Sequence, residues 1–338
     1  MEIDRGDLLG KLSQLSLGLQ SKGEIEQSTH FVFLEDKLVT FNGDIACFVP
    51  FSSGFRGAVL ASPLMKLLQK MSEEKIDMSL EDGSLKIEAN KRKAGIRLER
   101  DIFLPIEGVE LPEEWKPLPE GVFPALGLAL SCVGRELTQY KLGCVHVHQK
   151  YIEACDGFQL LRHRVTWDIQ PALLEGRALS RLMGLEFKEY AQTDGWLHFR
   201  GAGGSTIACR QQMETEDFSY PSLTGFLKVE GEAIQFPAAM EEAIDRASVF
   251  GSQESHGYDA IQVELRRDRV RLSSRNAAGW YQEIQDVQYG GPQLKFSVDA
   301  KLLLEIQKRS KDCVISSDKI LVSTDMWRYV TSLEPIDG

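Results

Sequence analysis

The side chains best suited to chemistry lie in one short segment, Cys144-Val145-His146-Val147-His148, with Cys155 and Asp156 a few residues later. Alternation with valine predicts a strand on which His146 and His148 point to the same side, a geometry that suits metal ligands. The same alternation is typical of an ordinary strand with one polar face. The spacing fixes no further partner, so we predict no metal site and no catalytic residue here.

The run Gly201-Ala202-Gly203-Gly204-Ser205 superficially resembles a loop that cradles phosphate. It lies between two strand patterns and precedes no helix with a lysine, so we interpret it as a hairpin turn. The motifs of P-loop proteins, of hydrolases with a nucleophile elbow and of zinc proteases are missing from the sequence. The sequence therefore predicts a protein that is not an enzyme and needs no cofactor.

The composition is that of an ordinary globular protein of two or three domains. The chain has 338 residues, of which 43% are hydrophobic and 26% charged, and these proportions favour packed cores over disorder. The apolar runs are much shorter than the ~20 residues that span a bilayer. The six cysteines form no C-x-x-C pair, which indicates reduced, buried thiols. We expect a soluble, cytoplasmic protein with no membrane partner.

Apolar residues recur with the period of an amphipathic helix in six places. The predicted helices cover residues 8–20, 62–71, 123–135, 176–185, 237–250 and 299–308. Alternate helices recur at about 115 residues, which indicates an internal repeat. Ser62-Pro63 predicts the N-cap and first position of the second helix, and Asp299 predicts the N-cap of the last.

Alternating apolar residues beside turn residues follow each predicted helix, as in Gly195-Trp196-Leu197-His198-Phe199. This is the signal of a β-hairpin. Six copies of one helix plus three or four short strands pair into three domains, 1–118, 119–228 and 229–338. The sequence thus predicts an α+β fold of three repeated domains, each with two helices packed on antiparallel sheets. The acidic, proline-rich stretch 111–119 is interpreted as the first linker.

The basic residues are concentrated in the predicted helices. The net charge of −11 by itself argues against DNA binding, because DNA affinity comes largely from basic groups. A single helix lysine is usually a solvated surface residue, but six helices that share one face would attract phosphates without sequence preference. On this basis we predict DNA contacts from Lys11, Lys66, Lys70, Arg135, Arg177, Arg181, Arg246, Lys301 and Lys308.

Several motifs, in order along nearly the whole chain, resemble those of the bacterial sliding clamp, the beta subunit of DNA polymerase III. The run Ala154-Cys155-Asp156-Gly157-Phe158-Gln159-Leu160 is similar to an A-T-D-G-H-R-L signature in the family's second domain. The segment 135–143 stands where the family has a polar-Tyr-Tyr stretch before a glycine. Asp217-Phe218-Ser219-Tyr220-Pro221 resembles an F-P-D-Y element that closes the second domain.

The resemblance implies that each chain forms half of a ring, and that a head-to-tail homodimer encircles double-stranded DNA as a processivity factor for a polymerase. It adds Lys22, Gln139 and Tyr140 to the expected DNA contacts. It also implies a subunit interface that uses Ile96 of the first domain and Val249 and Phe250 of the third.

The resemblance further implies a cleft that binds short linear peptides of the polymerase and the clamp loader. By position, the expected cleft residues are Cys155, Gly157, Phe158, Gln159, Leu160, Tyr329, Val330, Ser332 and Leu333. The sequence departs from the family here, because Phe158-Gln159 replaces His-Arg and Thr331-Ser332 replaces apolar residues. An altered peptide preference is expected.

Two alternative functions remain open from the sequence. One is a clamp-fold scaffold, monomeric or dedicated to repair or transposition factors, which a measurement of mass in solution would separate from a ring. The other is a metal-dependent nuclease or hydrolase that uses His146, His148 and Asp156. Metal analysis and a nuclease assay of the His146→Ala variant would detect it.

Overall fold

The computed structural model describes residues 1–134, 140–215, 219–251 and 260–336. Within these residues there are six α-helices, each lying where the apolar period predicts one. The helices α1 to α6 are Arg5–Leu15, Ala61–Lys70, Val122–Leu130, Gly176–Ser180, Met240–Ser248 and Ala300–Arg309. The prediction of six helices from periodicity is confirmed.

Antiparallel strands make up most of the remaining regular structure, as the hairpin patterns predict. The strands β1 to β25 are Glu2–Asp4, His30–Leu34, Lys37–Phe41, Ile45–Pro50, Arg56–Leu60, Lys75–Glu81, Ser84–Ala89, Arg92–Glu99, Lys116–Pro117, Cys144–Val147, Tyr151–Cys155, Gln159–Arg164, Ala172–Glu175, Phe187–Thr193, Trp196–Gly201, Thr206–Met213, Glu232–Gln235, Ala260–Leu265, Arg269–Asn276, Gly279–Asp286, Leu294–Asp299, Asp312–Ile315, Lys319–Ser323, Trp327–Ser332 and Glu334–Pro335. The chain is therefore of the α+β class, with antiparallel sheets.

The chain forms two compact units, each made of two stretches of sequence. Unit 1 comprises Met1–Phe123 and Trp167–Thr215, and unit 2 comprises Pro124–Thr166 and Glu216–Gly338. None of the helices in the described part of the chain combines the length and apolar composition that crossing a bilayer requires. All six cysteines are buried and unbridged, as their scattered spacing predicts.

Unit 1 is built on a long antiparallel sheet in which strands distant in sequence are neighbours. The strands pair in the order β8–β5–β2–β3–β4–β16–β15–β14–β9. A second sheet contains β1, β6, β7 and β8. The β4–β16 pairing, in which Ala46 lies opposite Ala208, joins the two sequence stretches of the unit.

The core of unit 1 forms where side chains of both stretches meet. Phe41 and Trp196 pack edge to face with ring centroids 5.9 Å apart. The buried Trp196 indole donates to the Gly108 carbonyl at 2.9 Å. Lys116 and Pro117 pair with β14, so the end of the stretch 111–119 is hydrogen-bonded into the unit.

Unit 2 contains two antiparallel sheets. The first pairs its strands in the order β10–β11–β12–β24–β23–β22–β17. The second has the order β20–β19–β18–β21–β25. The β12–β24 pairing, with Leu160 opposite Val330, connects the two sequence stretches of this unit.

The observed helix ends agree only in part with those predicted from the sequence. Asp299 caps α6 as predicted, because its carboxylate accepts from the Lys301 amide at 2.7 Å. The prediction for Ser62 is wrong: α2 begins at Ala61 and Leu60 occupies the N-cap without a side-chain hydrogen bond. α4 ends at Ser180, five residues before the predicted end, and single turns lead to Gly184, whose φ is +88°.

The run 201–205 connects β15 to β16, and the Gly201 amide donates to the Ser205 carbonyl at 3.0 Å. The interpretation of this glycine-rich run as a hairpin turn is confirmed. The following strand is buried over its first half, from Thr206 to Cys209. The run is therefore a tight connection between two strands of unit 1.

His198 of β15 makes the stability of unit 1 sensitive to acid. The imidazole is fully buried, Thr193 Oγ1 lies 2.8 Å from Nε2, and no hydrogen-bond partner for Nδ1 is present among the described residues. Burial lowers the pKa of His198 to about 4. Below pH 6.5 the unfolded chain binds a proton that the folded chain does not, so about 3 kcal/mol of stability should be lost between pH 6.5 and pH 4.

Urea denaturation of the wild-type chain and the His198→Gln variant over that pH range would measure this loss. Glutamine cannot be protonated, so the pH dependence of the variant should be shallower by the histidine contribution. Parallel pH profiles for the two proteins would contradict the assignment.

Candidate nucleic-acid interface and partner cleft

The basic helices of unit 1 bury their apolar faces and expose their cations. α1 buries Leu8, Leu12 and Leu15, and α2 buries Ala61, Leu64 and Leu68. Lys66 and Lys70 are exposed on α2 at the i, i+4 spacing that places side chains on one helix face. The amphipathic period that buries these helices therefore also directs their basic residues outward.

Five of the predicted DNA contacts keep their charges unengaged. Within the described residues, the side chains of this group make no hydrogen bond or ion pair, and all are exposed. They are Lys22, Lys66, Lys70, Arg177 and Lys301. These cations can meet a phosphate without first breaking an interaction in the protein.

Other predicted contacts are engaged within the chain. Lys11 pairs with Asp7 at 2.5 Å, because α1 begins early enough to include Asp7. Lys308 pairs with Glu305 at 3.2 Å, and Arg181 donates to the Leu17 carbonyl at 2.8 Å. Exposed pairs of this kind are weak, so they lower but do not abolish a residue's value as a phosphate contact.

Arg246 is the most heavily engaged of the predicted contacts. Its guanidinium donates to both carboxylate oxygens of Glu283, at 3.1 and 3.0 Å, and to the Tyr281 hydroxyl at 2.9 Å. Hydrogen bonds to Tyr281 and Glu283 raise the pKa of Arg246. The Arg246 guanidinium is therefore already hydrogen-bonded to residues of unit 2.

Three predicted DNA contacts precede β10. Arg135 and Gln139 lie outside the described residues. Tyr140 begins a short 3₁₀ turn, Tyr140–Gly143, that leads into the strand.

A pocket of about 310 Å³ opens beside α4 in unit 1, lined by Asn42, Asp44, Ile45, Glu175, Arg177, Ala178 and Arg181. Burial, with added repulsion from Asp44 and an opposing effect of Arg177, raises the pKa of Glu175. The sequence reasoning did not identify Asp44 or Glu175 at this point. Two carboxyl groups therefore moderate the positive charge of Arg177 and Arg181.

The predicted cleft in unit 2 is organised by the turn between β11 and β12. The Asp156 carboxylate accepts from the amides of Phe158 and Gln159, both at 2.9 Å, and Gly157 has φ +99°. Cys155 is buried and its amide donates to the Tyr220 hydroxyl at 3.0 Å. Asp156 and Gly157 thus form the turn between β11 and β12.

The Gln159 side chain, beside this turn, is held by several hydrogen bonds. Its amide nitrogen donates to Asp156 at 2.9 Å and to the Ser131 carbonyl at 3.2 Å. Its amide oxygen accepts from the Tyr329 hydroxyl at 2.6 Å. The Arg309 guanidinium lies 4.8 Å from the centroid of the Tyr329 ring. Gln159 is thus a structural residue at the cleft.

Most of the other predicted cleft residues belong to the core of unit 2. Leu160, Tyr329, Val330 and Leu333 are all buried. Gly157, Phe158 and Ser332 are exposed, and the Ser332 amide donates to the Phe158 carbonyl at 2.7 Å. The accessible part of the predicted cleft is this exposed group.

An exposed phenylalanine that the sequence reasoning missed lies close to the same strand end. Phe226 is 56% exposed, and the Lys319 ammonium is 5.9 Å from the centroid of its ring. Lys319 pairs with Ser332 across β23 and β24. Phe226 is part of no apolar period, so no pattern in the sequence indicated its exposure at this position.

The histidine that suggested metal chemistry belongs to a buried ionic network. Glu153 is 2% exposed and accepts from His146 Nδ1 at 2.9 Å and from Arg162 Nε at 2.6 Å. The Arg162 guanidinium lies 4.4 Å from the Tyr151 ring centroid. The described residues contain no group of three or more histidine, cysteine, aspartate or glutamate side chains that could hold a metal ion.

The predicted interface residues lie on β8 of unit 1 and just after α5 of unit 2. Ile96 is half-buried on β8, the last strand of its sheet in unit 1. Val249 is exposed just after α5 in unit 2, and the Phe250 ring is in contact distance of Gly279 on β20. Trp280 and Ile284 are also exposed on β20. The sequence reasoning missed both, because an exposed edge strand alternates like any half-buried strand.

Comparison with solved structures finds the same fold along the entire chain. The DNA polymerase III beta subunit of Pseudomonas aeruginosa matches with a TM-score of 0.80 and 15% identity, covering 99% of this chain and all of that one. A sliding clamp of Bartonella birtlesii, solved with griselimycin bound, gives 0.85 and 15%, covering 100% and 99%. The sliding clamp of Bacillus subtilis gives 0.81 and 16%, covering 100% and 98%.

This likeness establishes the fold. The resemblance to bacterial sliding clamps, predicted from the motifs, is confirmed at that level. No family profile and no curated protein sequence matches the chain. The chain therefore shares its fold with these clamps at low sequence identity.

Proposed function

We propose that this chain, which has the fold of the DNA polymerase III beta sliding clamps, is a subunit of a ring that encircles duplex DNA and tethers a polymerase. The observation that carries the proposal is the match of fold along the whole chain. In this proposal the chain comprises three consecutive domains, 1–118, 119–228 and 229–338, and two copies close the ring. The protein is cytoplasmic and performs no chemical step.

The exposed cations of the helices and of the loop after α1 support DNA as the ligand. Lys22, Lys66, Lys70, Arg177 and Lys301 have no competing partner among the described residues and are exposed. In a net anionic chain, cations collected on one class of element would make a local surface that attracts phosphates. Such contacts carry no sequence information, which suits a protein that must move along DNA.

Weak contacts are sufficient because the retention is topological. A closed ring cannot leave circular DNA without opening, so each phosphate contact needs only to centre the duplex. Strong contacts would oppose sliding. The pocket carboxyls Asp44 and Glu175, beside Arg177 and Arg181, fit this requirement because they reduce the local attraction.

The polymerase and the loader are proposed to dock at the exposed group Gly157, Phe158 and Ser332, extended by Phe226. Aromatic side chains at the surface are typical anchors for partner peptides. Gln159 is engaged with Asp156, Ser131 and Tyr329. The docking peptide therefore differs from one that relies on an arginine at this position.

The test of the proposed function is retention on DNA of different topology. Subunits are diluted so that they dissociate, mixed with nicked circular DNA, and concentrated so that rings close around it. After gel filtration, the protein should remain with the circular DNA. Cutting that DNA once with a restriction enzyme should release most of the protein, because a ring slides off a free end.

A control with the linear DNA present from the start should retain little protein at the same salt concentration. If cutting released no more protein than mock treatment, ordinary electrostatic binding would explain the retention and the ring would be excluded.

A further inference from the structure

The turn between β3 and β4 contains the Asn-Gly pair Asn42-Gly43. The other two asparagines of the chain are followed by Lys91 and Ala277. An asparagine loses its side-chain amide when the next backbone nitrogen attacks Cγ, and a following glycine leaves that approach open because it has no Cβ. Asn-Gly is also a common pair in hairpin turns. The groups around the pair therefore decide whether it reacts.

The nucleophile of this reaction is the Gly43 backbone nitrogen, which must lose its proton. With the described residues the Gly43 N–H makes no hydrogen bond, so no such bond has to break first. The negative charge that remains is shared with the Asn42 carbonyl oxygen, because both atoms belong to one peptide group. Gln20 Nε2 donates to that oxygen at 2.9 Å. A hydrogen bond to the charged form favours deprotonation.

The group under attack, the side-chain carbonyl of Asn42, is held by two backbone donors. Its Oδ1 atom accepts from the Asp44 amide at 3.0 Å and from the Ile45 amide at 2.8 Å. When Cγ is attacked, negative charge develops on Oδ1. Two fixed N–H groups at these distances are the arrangement that stabilises the oxyanion in acyl-transfer enzymes.

The leaving nitrogen of Asn42 is held by a longer hydrogen bond. Nδ2 donates to the Leu17 carbonyl at 3.2 Å, at the upper end of the range for such bonds. Asn42 also lines the pocket beside α4. Water can therefore reach the reaction product from the pocket.

We propose that Asn42 is a site of spontaneous deamidation, promoted by the hydrogen bonds of this turn. The Gly43 nitrogen loses its proton to solvent and forms a bond to Cγ. The bond from Cγ to Nδ2 breaks, and Nδ2 takes up a proton and leaves as ammonia. Water then opens the cyclic imide, so that an aspartate or an isoaspartate replaces Asn42. The net reaction consumes a water molecule and releases ammonia.

Both products place a third carboxylate in the pocket, beside those of Asp44 and Glu175. Arg181 donates to the Leu17 carbonyl at 2.8 Å, the same oxygen that accepts from Asn42. A carboxylate oxygen in place of Nδ2 would repel this carbonyl and attract the Arg181 guanidinium. Deamidation should thus engage a predicted phosphate contact, and a deamidated chain should hold duplex DNA more weakly. This consequence rests on the proposed function.

The reaction is measured on the native full chain by incubation at mildly alkaline pH, digestion at acidic pH and mass spectrometry of the peptides. A synthetic peptide of residues 38–46 gives the rate of the same pair without the fold. We expect Asn42 to react at least as fast in the chain as in the peptide, and much faster than Asn90 and Asn276. A slower reaction in the chain than in the peptide would mean that the turn protects Asn42, and the proposal would be wrong.

The contribution of Gln20 is tested with Gln20→Glu. This variant removes the donor to the Asn42 carbonyl and keeps an acceptor for the amides of Glu24 and Ile25. Deamidation should slow by about threefold to tenfold, with circular dichroism unchanged. An unchanged rate in the folded variant would overturn the activation of the Gly43 nitrogen.

The consequence for DNA is tested with Asn42→Asp, which reproduces one product and keeps an acceptor for the amides of Asp44 and Ile45. Binding to a short labelled linear duplex should weaken by about threefold or more, and the slope of log K against log salt should fall by roughly 1. Asn276→Asp makes the same exchange in unit 2 and should leave binding unchanged. Equal binding by the two variants would overturn the effect on DNA. A wild-type chain that binds no duplex would overturn the proposed function, while the mass measurement would still decide the deamidation.

Discussion

Replacing Glu153 by alanine should lower the free energy of unfolding of unit 2 by about 3–5 kcal/mol. The carboxylate is 2% exposed and accepts hydrogen bonds from the His146 imidazole and the Arg162 guanidinium. Its removal leaves Arg162, whose side chain is 19% exposed, without its anion. Breaking a buried ion pair on one side is costly because the remaining charge stays desolvated.

Unit 1 offers a matched control with the same cross-strand geometry. Glu189 lies opposite Arg200 on β14 and β15 as Glu153 lies opposite Arg162 on β11 and β12. The nitrogen–oxygen distances are 2.7 and 2.6 Å. Glu189 is 39% exposed, so Glu189→Ala should cost less than about 1 kcal/mol.

Urea denaturation, with hydrogen exchange of β10, β11 and β12 to localise the effect, would measure both changes. The two units need not unfold together, so a local probe is required for each. Equal losses for the two variants would contradict the view that burial decides the strength of these pairs.

The pairing of His146 with Glu153 also explains why the role of His146 could not be decided from the sequence. Alternation with valine correctly predicted a strand, because it depends only on neighbouring residues. The partner that occupies His146 is Glu153, which the hairpin register between β10 and β11 brings opposite it. Register depends on the turn and on side-chain packing, so the spacing of residues within a motif does not predict it.

The helices could be predicted because an amphipathic period is local. The threefold repeat, which was inferred from spacing, stays a prediction. The pairings β4–β16 and β12–β24 could not be predicted. They join strands over 100 residues apart, and each strand alone is an ordinary buried or alternating segment. The β12–β24 pairing brings the predicted cleft residues together, so which of them are exposed could not be predicted from the sequence.

The sequence predicted only in part which basic residues are paired within the chain. The pair of Lys11 with Asp7 follows from i, i+4 spacing once α1 is known to start at Arg5. The fork of Arg246 on Glu283 joins a helix to a strand and has no such local signature. Residue type alone therefore overestimated the number of unengaged cations.

The double reversal Arg177→Glu/Arg181→Glu should weaken binding to a short linear duplex at least about tenfold. Both arginines are exposed on or just beyond α4, and each phosphate contact contributes roughly 0.9 to the salt exponent of binding. Losing two contacts should therefore lower the slope of log K against log salt by roughly 2. Binding would be measured by fluorescence anisotropy of a short labelled linear duplex, which a ring cannot hold topologically, over a series of salt concentrations.

The control is Lys37→Glu/Arg56→Glu, which makes the same change in net charge on strands β3 and β5 of unit 1. Folding should be preserved in both variants, because Arg181 gives up a single hydrogen bond to a carbonyl. If general repulsion by an anionic protein were the cause, the two variants would lose DNA equally. A slope that falls only for the α4 variant would instead mean that the basic residues act by position, which is what a lining of phosphate contacts requires.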